Sequence, residues 1–286
     1  MSVLLILAIT FAGLAEGVFI KKYNSKHMVG GFLFTSLISL FSMMVFVLTD
    51  KNGFCFPSLI WLYGMIAGVL YCGASFLTYM ALESGSFGIS MLILSYSLIF
   101  PIGYGLFFLN ETATIFTYIG IILVMSSLYF TCDTKDGHKN FFSIKWMICI
   151  ILSVIGSGMF SVVTRMQQIV FNNLYDNEFM IVSLGFSALI LFVAGIIKDG
   201  KKIKYILRYG APWAFGAGSC NGTVNTLTLL LYTMMPISIA VPIQAGARVI
   251  VSFVLSIILF SEKFSVKQWI GAVLGAVALV LLNIKF

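Results

Sequence analysis

Apolar runs of roughly bilayer-spanning length alternate along this chain with short polar connections. Ten such runs are legible, at residues 3–20, 28–49, 59–81, 86–109, 113–131, 144–165, 178–197, 211–234, 237–260 and 267–284. A helix needs about 20 mostly apolar residues to cross the hydrocarbon core. Backbone exposed to lipid must satisfy its own hydrogen bonds, so the pattern predicts helices and no open strands. The connections leave no room for a soluble domain.

The pattern also repeats. The stretches LILSYSLIFPIGYGLFFLNETATIFTYIGIILVMSSLYF and IQAGARVIVSFVLSIILFSEKFSVKQWIGAVLGAVALVLL share a framework. In each, an apolar span ends in an acidic residue, Glu111 or Glu262, and a glycine follows nine positions later, Gly120 or Gly271. Splitting the chain at CDTKDGHKNFF gives five spans to each side, residues 1–132 and 143–286. Five is odd, so the second half must insert upside down relative to the first. Inverted repeats of this kind place a site between the halves near mid-membrane. The predicted fold class is therefore an all-α integral membrane protein of ten transmembrane helices, arranged as two inverted five-helix repeats.

Composition agrees. The chain is 60% hydrophobic and only 9% charged, against roughly 25% charged residues in a soluble domain. Its net charge of +7 is carried in the connections, where anionic lipid headgroups account for it and nucleic acid is not needed. Thirteen of the seventeen Lys and Arg fall in the connections after spans 1, 5, 7 and 9. Lys51, Arg165 and Lys285 lie on the opposite side, and Arg248 lies within a span. The positive-inside rule then predicts a cytoplasmic membrane protein with both termini outside. Lys21, Lys22 and Lys26 follow the first apolar run and do not precede it, so that run reads as an uncleaved span. Five cysteines show no CxxC or Cys/His pairing, so neither a disulfide framework, a metal site nor a cofactor is expected. Trp61, Trp146, Trp213 and Trp269 fall near span ends, as an aromatic belt would.

The five-plus-five plan, with Glu111 leading to Ile119-Gly120 and Glu262 to Ile270-Gly271, resembles the EamA type of the drug/metabolite transporter superfamily. The resemblance covers essentially the whole chain. It implies alternating-access transport of a small organic metabolite, with amino acids and related compounds among the substrates. A narrower resemblance lies in span 1, where LAEGVFIKKYNS is similar to the first helix of small multidrug resistance transporters. That likeness implies a proton and cation site at Glu16. The second half has Met159 at the matching position, so no symmetric pair of carboxylates is expected.

Candidate site residues follow from polar groups inside spans. Arg248 sits at the centre of span 9, roughly 16 Å from either end. A central arginine costs at least ~2.5–3.5 kcal/mol to insert, so a compensating interaction is required. Gln244 and Ser252 lie one turn to either side, and Pro242 precedes them. Substrate contact and a structural ion pair are both open for Arg248. Glu16 is the candidate proton-coupling residue, with pairing to Arg248 or reach to the interface near Lys21 as the structural alternatives. Asn221, Asn225 and Thr228, with Tyr232, recur on one face of span 8. Span 4 offers Tyr96 and Ser97, the latter aligned with Arg248 at the repeat offset of 151. Span 3 offers Tyr79, on a face with Gly64, Gly68, Cys72 and Ser75. Gly271 and Gly275 form a GxxxG, a packing or dimer-type face.

No HExxH, GxSxG, paired intramembrane aspartates or Cys/His cluster is present, and His27 and His138 lie in connections, so an enzyme is not expected. A channel is disfavoured because the repeats share no filter-like sequence. The leading expectation is a secondary transporter whose arginine and carboxylate together suit a zwitterion such as an amino acid. The alternative is an exporter of organic cations or drugs centred on Glu16. The expected partners are a small-molecule substrate and membrane lipid, with protons as the candidate coupling ion. Monomer and dimer both stay open.

Overall fold

The structure is a computed structural model, and it describes residues 2–27, 29–50, 53, 55–108, 115–131, 143–234, 248, 251–261 and 264–281. All regular structure among them is helical. The helices are α1 (Ser2–His27), α2 (Gly31–Thr49), α3 (Ser58–Ser84), α4 (Phe87–Ser95), α5 (Ile99–Phe108) and α6 (Ile115–Thr131) in the first half. In the second half they are α7 (Ile144–Phe171), α8 (Asp176–Asp199), α9 (Ala211–Met234), α10 (Val251–Phe260) and α11 (Val266–Leu281). Among the described residues, five helical runs are long and apolar enough to cross a membrane, the last running through both α8 and α9. The connection at 132–142, Glu111 and Glu262 lie outside the described residues.

Three boundaries differ from the hydropathy pattern, each for a local reason. Helix α1 continues past Ile20 to His27 because its lysines are anchored by neighbours. Lys21 Nζ donates to the Gly85 carbonyl at 2.6 Å, Lys26 lies over the Trp213 ring, and Tyr23 is buried against Phe34. Helix α7 likewise runs beyond Arg165 to Phe171, where Asn172 and Asn173 take left-handed φ values of 51° and 60° and end it. Span 4 is broken into α4 and α5 by a 3-10 turn at Tyr96–Leu98. Pro101 stands in the first turn of α5, the one part of a helix that tolerates its missing N–H.

The most extensive packing joins helices of one half to helices of the other: α2 with α8, α3 with α7 and α8, α1 and α2 with α9, and α6 with α11. Small residues make these approaches possible. A Cβ on Gly218 would meet the Ile38 carbonyl oxygen at 2.6 Å, and one on Gly68 would meet that of Ser183 at 2.8 Å. Buried hydroxyls bridge the same seams, with Ser36 Oγ donating to the Ala188 carbonyl (2.8 Å) and Ser153 Oγ to that of Ala74 (3.0 Å). In lipid, where apolar burial between helices gains little, close approach and interhelical hydrogen bonds are what remain to hold a bundle.

One expectation is corrected by this packing and another is narrowed. Trp61 and Trp269 are exposed as a belt requires, but Trp146 is only 1% exposed. Its ring fills the space left by Gly85, and its Nε1 donates to Ser90 Oγ at 3.1 Å. The Gly271/Gly275 face is occupied within the chain. Ser127 Oγ of α6 donates to the Gly271 carbonyl (2.6 Å), and a Cβ on Gly275 would strike the Tyr96 hydroxyl at 2.5 Å.

Candidate functional site

A polar cluster lies midway along the helices where α1, α2, α3 and α9 meet. Its hub is Asn221, only 9% exposed. The Asn221 Nδ2 donates to Glu16 Oε1 at 3.0 Å. The Asn221 Oδ1 accepts three hydrogen bonds, from Ser42 Oγ (2.7 Å), Tyr71 OH (2.9 Å) and Asn225 Nδ2 (3.1 Å). At 1.5 Å per residue, Glu16 lies roughly 16 Å from the His27 end of α1, Asn221 roughly 15 Å from the Ala211 end of α9, and Tyr71 roughly 20 Å from either end of α3. The members lie well inside their helices, where the neighbouring helices must satisfy these groups. That requirement explains why polar side chains from four helices converge here.

Arg248 stands beside this cluster. A Cβ added to Gly13 would lie 3.5 Å from Arg248 Nη2 and 3.6 Å from Val224 Cγ2. The guanidinium therefore rests against the bare backbone of α1 at Gly13, one turn before Glu16 on the same face. It is near enough to act electrostatically on the Glu16 carboxyl. A methyl group at position 13 would only touch the guanidinium at ordinary van der Waals distance, so the site has room for alanine but the guanidinium already occupies the space beyond it. Glu16, Tyr71, Asn225 and Arg248 all keep part of their surface accessible, whereas Ser42 is fully buried. The arrangement offers a carboxylate and a guanidinium on one side of one helix, the carboxylate bonded to a neutral amide.

The structure brings together Glu16, Asn221, Asn225 and Arg248 from the sequence-derived set. Thr228 is half-buried on the same helix as the two asparagines, one turn beyond Asn225. Gln244 lies outside the described residues. Two expected binding residues belong elsewhere. Tyr79 is 4% exposed, stacks beside Phe76 and Phe34, and its carbonyl accepts from Asn24 Nδ2 at 3.2 Å. It is two turns, or ~12 Å, along α3 from Tyr71. Tyr96 is 3% exposed, and its hydroxyl meets Ser127 Oγ at 2.5 Å. Because the Ser127 proton goes to the Gly271 carbonyl, the Tyr96 proton is spent on Ser127, and the group closes a seam. Ser97 sits half-buried in the 3-10 turn beside Tyr96.

Ser42 and Tyr71 were not legible as site residues. Ser42 ends a stripe Thr35, Ser39, Ser42 at helical spacing in an apolar span, a signal shared with ordinary helix packing. Tyr71 lies beside the glycine face of α3 and off the row that pointed to Tyr79. Among the described residues, no three His, Cys, Asp or Glu side chains gather as metal ligands would.

Residues 144–284 match the EamA-like transporter family. No curated protein matches the chain. A solved structure described only as "Crystal structure of protein" is similar over 99% of this chain and 97% of its own, with a TM-score of 0.62 at 15% identity. At that identity the likeness speaks to fold alone.

Proposed function

The chain belongs to the EamA-like transporter family, matched through residues 144–284, and from that premise we propose that it carries a small zwitterion, in the class of the amino acids, by alternating access. It is a multi-pass membrane protein, and transport is the family's activity. The substrate class rests on one observation: Glu16 and the Arg248 guanidinium lie on the same side of α1, the guanidinium against Gly13 and Glu16 one turn on, bonded to Asn221. A carboxylate-bearing substrate suits the guanidinium, and its ammonium suits Glu16. A ligand that bridges both poles draws helices of the two halves together, which gives it different affinities for open and closed states. Without that difference a substrate could not drive the change.

Proton coupling follows if the substrate ammonium and a proton compete for Glu16. The lysine distribution supports both termini outside, and an impermeant thiol reagent should then label a cysteine placed at residue 2 on whole cells. A second reading, a Glu16-centred exporter of organic cations, is supported by the neutral bonding partner of Glu16 and its accessible surface. Thermal stabilisation of purified protein by carboxylates, zwitterions and organic cations separates the two. Zwitterion hits that vanish in Arg248→Ala support the amino-acid carrier. Hits confined to cations, indifferent to that substitution, support the exporter.

A further inference from the structure

We infer that Asn221 fixes the hydrogen-bond polarity of the Glu16 pole, so that this pole takes a primary ammonium and rejects its quaternary counterpart. The inference rests on the zwitterion reading and adds a specificity to it. An ionised Glu16 can only accept. If the Asn221 amide were turned over, its oxygen would stand 3.0 Å from Glu16 Oε1 with no proton between them. The carboxylate therefore holds the amide with its NH2 inward. The Asn221 oxygen is then forced toward Ser42, Tyr71 and Asn225, and each of these must donate to it.

The consequence lies in what is left over. A hydroxyl has one proton, and those of Ser42 and Tyr71 are committed to Asn221. Ser42 is fully buried and presents nothing to a ligand. The residues that keep accessible surface are Glu16, Tyr71, whose oxygen has only lone pairs left, and Asn225, with its carbonyl and one N–H not used by the hub. Acceptors dominate this set. A primary ammonium brings three N–H donors to it, whereas a trimethylammonium brings none and leaves the acceptors buried against methyl groups. Such a mismatch is discriminated far more strongly than a difference in apolar bulk.

The opposing effect is cation–π attraction, the usual means of holding quaternary ammonium. Tyr71 and Phe160, with ring centroids 5.3 Å apart, could supply a face for it. The polarity argument outweighs it because attraction to the Glu16 charge and to the rings is open to both cations, whereas only the primary ammonium adds hydrogen bonds to the acceptors.

The test uses a panel of L-amino acids and the matched panel of their N,N,N-trimethyl betaines as ligands for purified protein, with affinities read by thermal shift or competition. Wild type should prefer the primary amines by ~100-fold, as expected for the loss of hydrogen bonds to a charged partner. Tyr71→Phe removes an acceptor at the pole and should cut that preference about tenfold. Ser42→Ala removes a bond to the same hub but no accessible acceptor, and should lower stability while leaving the preference intact. Asn221→Leu should relax the preference if it folds; the other two variants decide the matter if it does not. Equal affinity for both panels in wild type overturns the inference alone, as does Tyr71→Phe weakening both panels equally. Binding of neither panel overturns this inference and the zwitterion reading together.

Discussion

Replacing Asn221 by alanine tests the hub most sharply, because its cost can be worked from four bonds. The side chain makes one hydrogen bond to Glu16 and receives three, from Ser42, Tyr71 and Asn225. Interhelical hydrogen bonds in membrane proteins average ~0.6 kcal/mol and reach ~1.7, so the three that cross between helices, with a smaller share from the Asn225 bond inside α9, give ~2 kcal/mol. Ser42 adds to this, since its fully buried hydroxyl loses its bridge to α9. At about 2–4 °C per kcal/mol for a chain of this size, the thermal midpoint in detergent should fall on the order of 5–10 °C. A double-mutant cycle sharpens the test. Ser42→Ala alone should cost ~0.6 kcal/mol, and nothing further when Asn221 is already alanine. A midpoint within about 1 °C of wild type, or full additivity with Ser42→Ala, would refute the hub.

Other predictions test the scaffold around it. Gly218→Ala should destabilise severely and disturb the α2–α9 seam, because the new Cβ meets a backbone carbonyl at 2.6 Å that cannot rotate away. Gly73→Ala, with nothing within 4 Å of the added carbon, should be neutral or raise the midpoint by the helix-propensity gain of ~0.5–1 kcal/mol. Gly275→Ala should lower stability without changing the oligomeric state on size-exclusion chromatography, since its face is filled by Tyr96 and Ser127. Trp146→Phe keeps most of the volume but orphans the Ser90 hydroxyl, so unfolding assays should show a loss of ~1 kcal/mol.

Much of this molecule is legible in its sequence because lipid is an unforgiving solvent. The apolar runs mark the long helices within a few residues, and ionisable groups inside them stand out by their cost. Glu16, Asn221, Asn225 and Arg248 could all be found that way. What sequence could not supply is which face of each helix meets which neighbour. Tyr71 and Tyr79 differ by two turns on one helix, yet one bonds the hub and the other packs against Phe34. Tyr96 looked like a site residue because it stands beside Ser97 in an apolar span; its proton is taken by Ser127, 31 positions away. The charged segment of α1 beyond Ile20 stayed hidden because tertiary anchors such as Lys21 on Gly85, and not hydropathy, extend that helix.

Counterflow in proteoliposomes tests the carrier itself. Vesicles loaded with an unlabelled L-amino acid mixture would be diluted into trace radiolabelled amino acids, for wild type, Arg248→Ala and Glu16→Gln. The account predicts a transient, saturable accumulation of label in wild type that is abolished by Arg248→Ala and strongly reduced by Glu16→Gln. Uptake that rises linearly with concentration and shows no overshoot, or an overshoot unchanged in both variants, would contradict it.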